Sequence, residues 1–155
     1  MSKLTARWIV PALGYLGLLP FLAAGLLVVT NSGVTDSEPA ISAPFLFASY
    51  SALILSFLGG TLWGQTLVLA PTAAGTLLLA SNLFALAAWA SLLLAETYFV
   101  ATLLCLMLGF AALWLIEYLQ RAPFTSTTGP YYMTMRGVLT AIVLATHLLV
   151  LVYSL

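Results

Sequence analysis

His147, Arg136, Glu117, Tyr132 and Asn82 are side chains able to do polar chemistry within otherwise apolar runs. Arg136 and His147 are eleven residues apart, about three turns, so one helix carries both on one face with Thr140 between them. At 1.5 Å per residue, His147 lies roughly 16 Å deeper than Arg136, near mid-membrane if the segment spans one. An ionisable group at that depth serves as a proton relay or ligand contact, or is a neutral imidazole bonded to a hydroxyl or carbonyl of another segment. Arg136 either snorkels to the headgroups or pairs with Glu117, which also has Arg121 four residues on. A Glu117–Arg121–Arg136 cluster beside Tyr132 either ties two segments together or holds an anionic headgroup or substrate. Asn82, with Ser81, interrupts another apolar run. An amide in hydrocarbon needs a partner, typically on another helix, worth about 1–2 kcal/mol. The single histidine and single cysteine, Cys105, cannot build a zinc site. No phosphate-binding glycine loop, metalloprotease motif, nucleophile elbow or pair of carboxylates at catalytic spacing is present. These residues predict no metal, no cofactor and no enzyme.

The elements that must carry these groups follow from composition. The chain has 155 residues, 63% hydrophobic and only 5% charged, with no net charge, and its mean hydropathy is +1.15. Soluble domains carry about 25% charged residues, so this is a membrane protein. No basic patch offers a surface to nucleic acid. The reading is all-α: one polytopic domain over residues 1–155, a bundle of five transmembrane helices of roughly 20 residues each. The spans fall at about 8–29, 44–66, 71–95, 97–118 and 131–153. Pro11 and Pro20 predict a kink or irregular start in the first span. That span is too long for a signal-peptide core and reads as retained. The boundary between the third and fourth spans rests only on Glu96 and Thr97. Lys3, Arg7, Arg121 and Arg136 fall on one side, while Asp36, Glu38 and Glu96 fall on the other. The excess of basic residues marks the cytoplasmic side, giving an N-in, C-out orientation.

The stretch Tyr50–Gly64 carries small residues every fourth position: Ala52, Ser56, Gly60 and Gly64, with Gly59 and Trp63 beside them. That period lines one helix face. Lipid does not select small residues, whereas a neighbouring helix does, because they allow close backbone approach. The stripe predicts packing inside the bundle, with dimerisation of two copies as the alternative. Gly59-Gly60 would instead unwind the helix to expose carbonyls if a companion break lay at similar depth. Trp63 and Trp89 lie deep in their spans and read as packing residues. Trp8, Tyr98, Trp114, Tyr118, Tyr131 and Tyr153 fit the interfacial belts.

Three segments together resemble a domain-of-unknown-function family of small bacterial inner-membrane proteins. They are Pro11-Ala-Leu-Gly-Tyr-Leu-Gly-Leu-Leu-Pro-Phe21, Tyr50–Gly64, and Tyr131-Tyr-Met-Thr-Met-Arg-Gly-Val-Leu-Thr140. The family also includes the mitochondrial transmembrane protein sixty-nine. Leu-Ser-Phe-Leu-Gly-Gly-x-x-Trp-Gly is the most specific part. The matching positions are Gly14, Gly17, Pro20, Tyr50, Ser56, Gly59, Gly60, Trp63, Gly64, Tyr132 and Arg136. The family pattern usually has Trp-Tyr before the last arginine, where this chain has Tyr131-Tyr132 and so lacks the indole donor. The resemblance implies a multi-pass protein of the bacterial cytoplasmic (inner) membrane, with no known reaction.

Three functional readings remain. The first is a structural, accessory or assembly component of a larger membrane complex, or of a homo-oligomer, with the lipid bilayer as its surroundings. A lipid-facing surface rich in small residues, left over after folding, would favour it. The second is a small transporter, channel or proton-conducting protein using His147 and Arg136, which must then converge on one polar cavity. The third is a membrane enzyme acting on a lipid or quinone-like substrate.

Overall fold

A computed structural model of the chain describes residues 3–30, 42–67, 71–120 and 130–155. Their regular elements are all α-helices: α1 (Lys3–Leu16), α2 (Leu18–Thr30), α3 (Ala43–Thr66), α4 (Pro71–Leu94), α5 (Phe99–Leu119) and α6 (Pro130–Ser154). Among the described residues, five segments are long and apolar enough to cross a membrane: Ile9–Thr30, Ala43–Thr66, Ala74–Leu94, Phe99–Leu119 and Tyr131–Ser154. Asp36, Glu38 and Arg121 lie outside the described residues.

The helix boundaries follow local chemistry. The first span is broken at Gly17, between α1 and α2. Pro20 cannot donate an amide, and its ring crowds the carbonyl four residues back, at Leu16. The Tyr50 hydroxyl, on α3, donates to the Gly17 carbonyl at 2.9 Å, so the break is pinned to the neighbouring helix. Ser42 caps α3 by accepting the Phe45 amide at 3.3 Å, and a proline, Pro44, sits in the first turn. The boundary between spans three and four is a tight turn, with the amides of Thr97 and Tyr98 donating to the Leu94 carbonyl at 3.2 and 2.8 Å.

Helices α2, α3, α5 and α6 form a closed ring, each packed on the next, and α6 returns to α2. Helix α4 packs outside this ring against α3 and α5, while α1 lies along α2 and α6. The second span, α3, is therefore the hub for α2, α4 and α5. Phe21, Phe47, Leu55, Leu103, Leu106, Phe110, Leu113, Val143 and Val150 fill the interior. A buried hydroxyl, Thr102, joins α5 to α4 by donating to the Ser91 carbonyl at 3.0 Å.

The close approach of α3 to α4 is made at Gly59. A Cβ there would lie 3.0 Å from Phe84 Cβ and 3.4 Å from the Ser81 carbonyl oxygen. Gly60 and Gly64 are exposed, and among the described residues a Cβ at either meets nothing within 4 Å. This corrects the expected packing stripe. Ala52 is buried and Ser56 half-buried, but the four-residue period then turns out of the bundle. The buried face of α3 is Phe47, Ala48, Ser51, Ala52, Leu55, Gly59 and Leu62. Successive helical residues are about 100° apart, so adjacent glycines face different surroundings. Trp63 and Trp89 are also corrected: they are 51% and 60% exposed and face outward.

Candidate functional site

The polar candidates separate into three places. The first joins the last turn of α5 to the second turn of α6. Arg136 Nε donates to Glu117 Oε2 at 3.0 Å, and Nη2 lies 2.8 Å from the same oxygen. Both side chains are buried, at 7% and 1% exposure. Charges removed from water persist only when paired, and this pair also fixes the contact between two spans. Arg136 thus pairs inward and does not snorkel. Glu117 Oε1 has no hydrogen-bond partner among the described residues, and neither does the buried Trp114 Nε1. Trp114 stacks on Tyr118, with ring centroids 5.3 Å apart. It reaches α6 at Gly137, where a Cβ would meet its indole nitrogen at 3.5 Å. Tyr132 is half-buried one turn before Arg136.

The second place is His147, fully buried inside the four-helix ring. Phe47, Phe110 and Phe21 surround its ring at centroid distances of 4.8, 5.6 and 5.8 Å. Nδ1–H donates to the Val143 carbonyl at 2.9 Å, one turn back on its own helix. The expected partner on another span is replaced by this local bond. Nε2 has no hydrogen-bond partner among the described residues. Arg136, Thr140 and His147 do share the buried face of α6. Leu139 and Val143, also buried, lie on the stretch between them.

The third is Asn82, at mid-length of α4. It is exposed, and Nδ2 donates to the Leu78 carbonyl of its own helix at 2.8 Å. The expected interhelical bond within the chain is not made, because α4 turns this face away from α3 and α5. The five candidates therefore form no single site. Arg136, Glu117 and Tyr132 gather at one end, His147 sits alone in phenyl rings, and Asn82 faces out.

The family described as Protein of unknown function (DUF3429) matches residues 6–152. The chain belongs to this family. No curated protein and no solved structure matches it. The family's description assigns no activity. The residues that carry the family resemblance occupy distinct positions in the fold. Gly14 packs on Leu139, where a Cβ would approach Cδ1 to 3.1 Å. Gly17 and Tyr50 meet in the hydrogen bond at the α1–α2 break. Gly59 makes the α3–α4 approach, and Arg136 makes the ion pair. Gly60, Trp63 and Gly64 face outward together on α3.

Sequence reasoning missed several structural positions. The phenyl sleeve of Phe21, Phe47 and Phe110 joins three helices, and no local pattern announces it. Gly25 and Gly109 are two further close-packing positions. A Cβ at Gly25 would lie 2.9 Å from Thr146 Cγ2, and one at Gly109 would lie 2.5 Å from Leu55 Cδ2. Isolated glycines in strongly apolar helices were the available signal, because glycine weakens a helix unless something packs there.

Proposed function

We propose that this chain is a structural, accessory or assembly component of a larger complex in the bacterial cytoplasmic (inner) membrane. The observation that carries the reading is the open face of α3. Gly60 and Gly64 lie one turn apart, and among the described residues no other helix comes within 4 Å of either Cβ position. Glycine costs a helix roughly 1 kcal/mol relative to alanine, and lipid gives nothing in return. Another helix does, through close backbone approach. Trp63 beside these glycines adds a large rigid contact surface. The bundle uses Gly59 for its own packing, which leaves Gly60 and Gly64 available to a neighbour.

The interior supports the same reading. Arg136 and Glu117 engage each other, and His147 is enclosed by phenyl rings. Transport would require them to converge, yet about 16 Å of helix separates Arg136 from His147. The proposed orientation is N-in, C-out, supported by the basic residues Lys3, Arg7, Arg121 and Arg136 on one side.

The test is gentle extraction from the native membrane with a tag after Leu155, followed by native mass spectrometry. Stoichiometric co-purification with other membrane subunits is the expected result. Recovery of only copies of this chain would overturn the accessory reading. In intact spheroplasts, the orientation predicts that external protease removes the tag; a protected tag would reverse it.

A further inference from the structure

We propose that two copies of this chain associate side by side through α4, with Asn82 of one copy bonded to Asn82 of the other. Asn82 is an exposed amide at the middle of a span, eleven residues from Pro71 and twelve from Leu94. Among the described residues, no other exposed amide or charged side chain sits in the interior of a span. Its bond to Leu78 uses one N–H. The carbonyl oxygen and the second N–H remain to be satisfied in surroundings that hold no water, where an unmet polar group is costly.

The chemistry of the amide selects the occupant. A primary amide is both donor and acceptor, so it is complementary to itself. Two copies inserted with the same orientation are related by a two-fold axis along the membrane normal. That axis brings residues of equal depth together, so Asn82 meets Asn82 without adjustment. One Oδ1 accepts from the other Nδ2, and the reverse bond is made by symmetry.

The rest of the face fits a helix seam. Gly75, Leu79, Asn82, Leu86, Trp89 and Leu93 are all exposed. Their spacings alternate between four and three residues, the repeat by which two helices interlock along a left-handed crossing. Among the described residues nothing lies within 4 Å of the Gly75 Cβ position, so a partner backbone can approach there. A single polar residue within such a seam sets register. This surface lies on a different helix from the open glycines of α3, so a dimer and attachment to another subunit are compatible. The inference does not rest on the accessory role.

The test uses the full chain in liposomes, in a Cys105→Ser background because Cys105 is itself exposed. Single cysteines replace Leu79, Leu86 and, as a control on the exposed face of α5, Leu108. Oxidation should cross-link positions 79 and 86 and leave 108 monomeric. Association is also measured by energy transfer between labelled copies at varied lipid-to-protein ratio. Asn82→Leu should weaken it about three- to thirtyfold, the range for hydrogen bonds between membrane helices. Asn82→Gln should retain most of it. Cross-linking no stronger at 79 and 86, where Asn82 is intact, than at 108 would overturn the proposal, as would unchanged association in Asn82→Leu. Loss of a different subunit from Asn82→Leu, with wild type monomeric in liposomes, would also overturn it. Cross-linking along α4 while no other subunit co-purifies would support the dimer and sink only the accessory reading.

Discussion

Glu117 presents one oxygen to Arg136 and leaves the other without a partner among the described residues, so this pair is held by geometry at a single atom. Removing one partner strands a buried charge. Glu117→Leu should destabilise the protein by about 3 kcal/mol or more, and the double variant Glu117→Leu/Arg136→Leu should recover most of that loss. Thermal unfolding in mild detergent measures both, and equal stability of all three proteins would show that the pair does not hold α5 to α6. His147 behaves differently, because its one hydrogen bond goes to its own helix and its other neighbours are phenyl rings. His147→Leu should change stability by no more than about 1 kcal/mol, whereas His147→Asp, which buries an unpaired acid, should prevent assembly of the bundle. A large loss in the leucine variant would mean that the imidazole makes an essential polar contact. The ion pair was legible in the sequence because charges inside apolar runs have few partners to choose from. The surroundings of His147 were not, because Phe21, Phe47 and Phe110 reach it from three different helices.

Helix α3 shows how sequence locates a span and yet leaves its rotation open. Its apolar run, Ser42 cap and Pro44 define where it lies. Every face is apolar, however, so composition gives no inward direction. The four-residue period of Ala52, Ser56, Gly60 and Gly64 pointed to one face, and packing uses the face one residue earlier. Gly59 and Gly60 separate the two outcomes. Gly59→Leu places atoms against Phe84 and the Ser81 carbonyl, and should cost about 1–3 kcal/mol by overpacking. Gly60→Leu meets open space within the chain and should leave the isolated bundle as stable as wild type or slightly more stable. Parallel unfolding curves in detergent give the answer, and the reverse ranking would contradict the packing of α3 on α4. The break between α1 and α2 was foreshadowed by Pro20, but its attachment to Tyr50 is a tertiary contact that spacing alone does not reveal.

At the scale of the whole molecule, the bundle pairs Arg136 with Glu117 internally and turns two unusual features outward. One is the open pair Gly60 and Gly64 on α3, and the other is the Asn82 amide on α4. The number of spans and their approximate limits follow from runs of about 20 apolar residues separated by turn formers. Which faces remain outside does not follow, because lipid accepts the same side chains that fill the interior. What lies against those outward faces in the membrane therefore decides the role of the protein. The most direct test is the mass of the assembly released from native membranes without passage through harsh detergent. The account predicts an assembly containing two copies of this 16.5 kDa chain together with at least one other membrane subunit. A solitary chain, at the mass of one copy with lipid alone, would contradict it.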